Sequence, residues 1–251
     1  MAETILVTGA SAGFGQAICQ RLVADGHRVI GAARRIEKLQ ALHEELGEAF
    51  YPLQMDVTDL TQVDHALASL PADWEQIDVL VNNAGLALGL APTQKAEIAD
   101  WLTMIQTNII GLTYLTRQIL PQMVERNDGY VINMGSTAGT VPYPGANVYG
   151  ASKAFVKQFS LNLRADLAGK QIRVTNIEPG LCKGTEFSVV RFKGDEKRVE
   201  ALYRDAHAIQ PEDIANTVSW LIQQPKHVNV NRIEIMPVSQ TFGPQPVYRG
   251  D

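Results

Sequence analysis

Residues 133–155 read NMGSTAGTVPYPGANVYGASKAF and bring a hydroxyl, a phenol and an ammonium into one short span. Tyr149 and Lys153 are four positions apart in a segment with helical spacing of apolar residues, so they share one helix face and can reach each other. Ser136 lies a short loop upstream. A free tyrosine, with a pKa of about 10, shuttles protons poorly at neutral pH. A neighbouring ammonium favours the phenolate and lowers that value toward the working pH, as general acid–base catalysis requires. Tyr149 is therefore the candidate proton donor or acceptor and Lys153 its tuner, with Ser136 placed to hold an oxygen that gains or loses negative charge. By itself a Tyr/Lys pair at this spacing also suits an exposed helix face. The surrounding elements decide between the two.

Those elements alternate. Short apolar, β-branched runs occur at Thr4–Val7, Arg28–Ala32, Ala49–Gln54, Val79–Asn82, Tyr130–Met134, Arg173–Ile177 and Arg232–Met236. Between them, Gly15–Asp25, Ile36–Leu46, Thr61–Leu70, Ile98–Val124, Tyr149–Leu167 and Pro211–Gln223 carry apolar residues every three or four positions. Nearly continuous apolar strands joined by helices predict a parallel sheet covered on both faces. The expected fold is α/β: a single-domain, doubly wound, Rossmann-like parallel sheet over residues 1–251, with helices on both faces and binding chemistry at the carboxyl ends of the strands.

At the first such end, LVTGASAGFGQAI runs from strand through glycines into helix. Gly9, Gly13 and Gly15 give the clearance that lets a pyrophosphate approach unpaired N–H groups and the positive end of a helix dipole. A tight βα turn would use the same glycines. After the second strand comes GAARR, where an NAD-specific site would place an acid for the ribose 2′-hydroxyl. Arg34 and Arg35 instead suit a 2′-phosphate through charge-assisted bonds, with Ser11 as an added donor, so NADP(H) is the expected cofactor. Two solvated arginines at a helix start are the plainer alternative. Asp56 and Val57 follow the third strand, where Asp56 either frames an adenine edge or caps the next helix. Asn82, Asn83, Ala84 and Gly85 follow the fourth, and suit either close passage of a cofactor or ordinary turn chemistry.

The formal charge of −5 and pI near 5.6 leave no general basic field to draw nucleic acid or an anionic membrane. No run of eighteen apolar residues occurs, and MAETILVTGASAGFG lacks a basic start followed by a long apolar stretch, so a cytoplasmic protein is expected. Cys19 and Cys182 and the scattered histidines lack metal-ligand spacing, and no metal is expected.

Together these motifs resemble the short-chain dehydrogenase/reductase family: T-G-x-x-x-G-x-G from Thr8 to Gly15, N-N-A-G from Asn82 to Gly85, a helix asparagine at Asn108, Ser136, and Y-x-x-x-K from Tyr149 to Lys153. The resemblance spans nearly the whole chain in order. It implies cofactor contacts from Gly9, Ser11, Gly13, Phe14, Gly15, Arg34, Arg35, Asp56, Val57, Asn83, Ala84, Gly85, Tyr149 and Lys153, and from Pro179 and Gly180 beside the nicotinamide. Four residues rather than three separate Gly180 from Thr185, so the Thr185 contact departs from the family pattern. By the same resemblance Lys153 hydrogen-bonds the nicotinamide ribose and Asn108 completes a water-bridged proton relay to Lys153.

Polar, irregular residues 186–207 suit a lid. Within VVRFKGD, Arg191 either clamps a carboxylate or sulfonate or lies on the surface. EPGLCKGTEF, VVRFKGD and MPV are similar to segments of bacterial NADP-dependent 3-hydroxy acid dehydrogenases, which also act on serine or allo-threonine and reduce malonic semialdehyde, and to sulfoacetaldehyde reductases. The implied substrate is a small anionic aldehyde or hydroxy acid, met by Ser136, Tyr143, Asn147, Tyr149 and Arg191. Two alternatives are a 3-ketoacyl-type reductase, which would show a basic mouth and an open lid, and a non-catalytic NADP(H)-binding sensor, which would have lost Tyr149 or Lys153. Long segments with apolar residues on more than one face predict a homotetramer or homodimer. The tail, 239–251, is expected to pack on its own or a neighbouring subunit.

Overall fold

Strand β1 (Thr4–Thr8) is buried throughout, yet its side chains divide strictly by parity. Ile5 and Val7 join one apolar cluster, and Leu6 joins the other. This two-residue alternation is what a strand covered on both faces requires. The structure, a computed structural model, describes residues 2–242. Its other strands are β2 (Arg28–Ala33), β3 (Phe50–Gln54), β4 (Val79–Asn82), β5 (Gly129–Met134), β6 (Ile172–Pro179) and β7 (Arg232–Ile235), and all neighbours pair in parallel in the order β3-β2-β1-β4-β5-β6-β7.

Helices α1 (Gly13–Ala24), α2 (Ile36–Leu46) and α9 (Pro211–Gln223) cover one face through Ile18, Leu22, Leu39, Ile214, Val218 and Leu221. On the other lie α3 (Leu60–Ala68), α5 (Leu112–Arg126) and α6 (Asn147–Asp166), packed through Val63, Leu115, Ile119 and Leu163. Fully burying an aliphatic side chain of this size contributes about 1.5–3 kcal/mol. Since β4 follows β1 in space while β2 lies on its other side, the order reverses between β1 and β4, and that switch point opens the ligand crevice.

Two elements depart from the pattern in the sequence. The helix expected over Ile98–Val124 is divided into α4 (Ile98–Ile105) and α5 by a π-helical segment, Gln106–Gly111. Close packing accompanies the break: an added Cβ on Gly111 would lie 2.6 Å from the Val57 carbonyl oxygen, and Asn108 is turned inward. The stretch 186–207, expected to be irregular, contains α7 (Phe187–Arg191) and α8 (Glu196–Tyr203). Lys193 and Gly194, both at positive φ, separate them, and the Asp195 side chain accepts from the Arg198 N–H to start α8. Edge strand β7 is tied down by Arg232, whose Nε and Nη2 each lie 2.7 Å from the carboxylate of Glu178 on β6. Among the described residues no helix is long and apolar enough to cross a membrane.

Candidate active site

The carboxyl ends of the strands border a cleft of about 790 Å³. On the β1 side its shape is set by backbone. Gly9 has φ +68°, and an added Cβ on Gly15 would lie 2.2 Å from the Gly9 carbonyl oxygen and 2.7 Å from Asn83 Nδ2. No flexible side chain could yield there, so glycine is required at Gly15. The Thr8 hydroxyl accepts the N–H groups of Asn83 and Ala84 at 3.0 and 2.9 Å, while Asn83 Nδ2 donates to the Thr8 carbonyl at 2.8 Å. These bonds lock the end of β4 to the glycine loop. Gly9, Ser11, Gly13, Phe14, Arg34, Arg35, Asp56, Val57, Ala84, Gly85, Pro179, Gly180 and Thr185 all line the cleft, as does Asn83.

Of the two roles open to Asp56, a local one is visible: Oδ1 accepts from the N–H and hydroxyl of Thr58 at 2.9 and 2.8 Å. The cap of α3 is instead Asp59, which accepts from the Gln62 N–H at 3.0 Å. Arg34 is exposed, whereas Arg35 donates to Ser11 Oγ through Nε and Nη2 at 3.2 and 3.1 Å.

Helix α6 carries Tyr149 and Lys153 into the base of the cleft, both buried. The Ser136 hydroxyl accepts from the Ala138 N–H at 3.1 Å at the end of β5. The expected tuning of Tyr149 by Lys153 is not what this environment produces. Lys153 Nζ donates to the Met134 carbonyl at 2.8 Å and sits 5.9 Å from the centre of the Tyr149 ring. Burial pushes the Tyr149 phenol up to about 12, opposed by the Ser136 hydroxyl and more weakly by Arg191. Burial also brings the Lys153 ammonium down to about 8. Desolvation is the leading cause of both shifts, and it leaves the phenol protonated.

Asn108, 1% exposed, makes its bonds elsewhere than at Lys153. Its amide accepts from the Leu86 N–H and donates to the Leu86 carbonyl, both at 2.9 Å, and donates to Ser152 Oγ at 3.1 Å. It thereby positions the chain that follows Gly85. The chain passes close beside it: a Cβ on Gly85 would lie 3.3 Å from both Asn108 Oδ1 and Lys153 Nζ.

Tyr143 and Arg191 line the cleft, but Asn147 does not. Asn147 Nδ2 donates to the Ala91 carbonyl at 3.2 Å and Oδ1 accepts from the Val148 N–H at 2.8 Å, so its side chain is used in starting α6. This corrects the expectation that it meets substrate. The Arg191 guanidinium carbon lies 5.4 Å from the ring centres of both Tyr143 and Tyr149, and its Nη2 is buried without a hydrogen-bond partner. Two cleft residues and one neighbour of the cleft had no signal in the sequence. Lys38, in the first turn of α2, donates to the cleft-lining Glu186 at 3.0 Å, Phe187 meets the Tyr149 ring edge-on at 5.7 Å, and Gln240 Oε1 accepts from the Leu181 N–H at 2.7 Å. A glutamine in an irregular tail reads as surface until the fold brings it back to Gly180. Residues 243–251 of the tail lie outside the described residues.

The short chain dehydrogenase family profile matches residues 3–196, and the chain belongs to that family. It is 59% identical over 239 residues to a probable NADP-dependent dehydrogenase of Haemophilus influenzae, covering 95% of each chain. To the NADP-dependent 3-hydroxy acid dehydrogenase of Salmonella typhi it is 58% identical over 245 residues, covering 98% of this chain and 99% of that one. A solved serine dehydrogenase, in a closed form complexed with NADP+, superposes with a TM-score of 0.97 at 56% identity, covering 98% of this chain and all of the other.

Proposed function

We propose that the protein is an NADP(H)-dependent oxidoreductase that interconverts a small anionic aldehyde and the corresponding alcohol, malonic semialdehyde with its 3-hydroxy acid or sulfoacetaldehyde with isethionate. The relatives support NADP(H) and a hydroxy acid or serine. One observation carries the anionic substrate: Arg191 Nη2 is buried and unpartnered in the same cleft as the Tyr149 phenol. A buried cationic donor without an acceptor is costly, and a carboxylate or sulfonate would satisfy it bidentately.

The glycine loop fits a dinucleotide, because Gly9, Ser11, Gly13 and Phe14 line the cleft where β1 turns into the N-terminus of α1, whose unpaired N–H groups suit a pyrophosphate. Gly9, Ser11, Gly13, Phe14 and Gly15 hold the pyrophosphate side, Arg34 and Arg35 the 2′-phosphate, and Asp56, Val57, Asn83, Ala84 and Gly85 the adenosine and ribose wall. Pro179, Gly180 and Thr185 hold the nicotinamide end. When bound, NADP(H) supplies the hydride acceptor or donor.

The protein's own residues handle the proton and the charge. Ser136 hydrogen-bonds the substrate oxygen, and Tyr149 gives it a proton as a carbonyl becomes an alcohol or takes one in reverse. Lys153 holds the ribose and places positive charge near that exchange, while Asn108 keeps the neighbouring chain in position for a water bridge. Tyr143 and Arg191 hold the anionic head. Residues 186–207 form the lid, pinned at one end by Glu186 to Arg35 and Lys38 and further along by Lys193 to Asp100 at 2.8 Å. A lid held this way suits a small enclosed substrate better than a carrier-bound one. An apolar face on α4, where Ile98 and Leu102 are each 61% exposed, supports assembly into a homodimer or homotetramer.

NADPH oxidation rates with malonic semialdehyde, sulfoacetaldehyde and a neutral aldehyde of similar size test this reading. In Arg191→Ala, kcat/KM should fall about 10- to 100-fold for the anions only, the range of one charge-assisted pair. Equal losses for all three aldehydes would remove the clamp.

A further inference from the structure

Three consecutive residues after β6 touch three different parts of the cleft. Thr185 packs on the glycine loop, where a Cβ on Gly13 would lie 3.0 Å from Thr185 Cβ. Glu186 faces Arg35 and Lys38: one carboxylate oxygen lies 2.9 Å from Arg35 Nη2, and the other accepts from Arg35 Nη1 at 3.2 Å and Lys38 Nζ at 3.0 Å. Phe187 meets the Tyr149 ring. The guanidinium assigned to the 2′-phosphate thus already has a carboxylate in front of it. Bonds from Arg35 and then Lys38 hold the Glu186 carboxyl below its ordinary range, as a cationic seat does to an anion.

On the reading that NADP(H) binds with its 2′-phosphate at Arg35, we propose that Glu186 is a displaceable internal competitor that occupies the seat formed by Arg35, Lys38 and Ser11 until the phosphate replaces it. Side-chain exposures of 39%, 44% and 49% for Arg35, Lys38 and Glu186 make these ion pairs screened and weak. A phosphate monoester brings a charge of roughly −1.5 to −2 and three acceptor oxygens, and so displaces one carboxylate. A bare ribose hydroxyl cannot. Because Glu186 is covalently next to Phe187, the exchange also frees the first turn of α7 beside Tyr149, linking arrival of the correct cofactor to the lid.

The test is equilibrium binding of NADP+, NAD+, 2′,5′-ADP and 5′-ADP to the wild type, Glu186→Gln and Lys38→Gln, with hydrogen exchange of Phe187–Arg191. Glu186→Gln should bind NADP+ and 2′,5′-ADP about 3- to 10-fold more tightly with 5′-ADP nearly unchanged, and Lys38→Gln should weaken the phosphorylated pair by a similar factor. In the wild type 2′,5′-ADP, but not 5′-ADP, should raise exchange in that turn, and in Glu186→Gln the two ligands should act alike. If Glu186→Gln leaves the affinity for the phosphorylated pair unchanged or weaker, while the wild type still prefers NADP+, the inference is overturned and the cofactor reading stands. If the wild type binds NAD+ as tightly as NADP+, the cofactor reading itself fails.

Discussion

Gly15, packed behind the cleft-lining Gly9, and Glu186, on the cleft's other side, are held in place by unlike means. Gly15 is fixed by backbone against backbone, with the Gly9 carbonyl where its side chain would be, and the Thr8 hydroxyl bonds the adjoining strand ends together. Glu186 is half exposed and held by two cations that a ligand can claim. The first wall is rigid because any shift would break buried contacts or force atoms to overlap. The second can exchange partners because water screens its bonds. A dehydrogenase cleft gains from both, since a fixed wall sets the cofactor's position and a yielding one admits and encloses the substrate.

Of the two walls, the rigid one should give the larger effect. Gly15→Ala places a methyl group on backbone oxygen with no room to yield, and such overpacking costs about 1–3 kcal/mol, occasionally more. Cofactor affinity measured by calorimetry should fall about 100-fold, with circular dichroism reporting whether the fold is kept. Near-parental affinity would show that this wall yields too.

Next comes Lys153→Met at the base of the cleft. Turnover should drop about 100-fold or more. Stability at pH 7 should nevertheless rise by about 2 kcal/mol, because the ammonium is brought from its ordinary 10.5 to about 8 by burial and removing it relieves that penalty. The sign follows from proton counting. Folding disfavours the charged form, so the penalty is complete below about 8 and disappears as pH rises toward 10.5. The stability gain of the variant should shrink over that window in denaturant melts.

A smaller effect is expected in the pH profiles. With the phenol raised to about 12, Tyr149 is protonated throughout the neutral range and ready to donate. Alcohol oxidation needs the phenolate and should accelerate about 10-fold between pH 7 and 8, while aldehyde reduction changes far less between pH 6 and 8. Stopped-flow rates in both directions check this. Parallel profiles would mean that another group moves the proton.

The rigid wall was also the legible one. Glycine spacing, the β1 run and the Tyr149/Lys153 interval are local signals, and the bounds of α2 and α9 coincide with the helical pattern in the sequence. What escaped was set by tertiary burial. Tyr149 is shifted upward rather than downward because the fold removes water from both partners, and sequence spacing carries no measure of that. Asn147 has a suitable side chain in a suitable stretch, but it bonds the Ala91 carbonyl across the chain. The helices of 186–207 bury almost nothing, so their apolar periodicity is faint. Glu186 and Gln240 look like surface residues until long-range packing brings them to the cleft, and Lys38 until it meets Glu186.

Tyr149→Phe tests the central claim most directly, since it deletes one hydroxyl at the base of the cleft and leaves both walls unchanged. Measured with NADPH and malonic semialdehyde, turnover should fall about 1000-fold while the Kd for NADPH stays within about twofold of the parent. Turnover equal to the parent's, with cofactor still bound, would contradict the account.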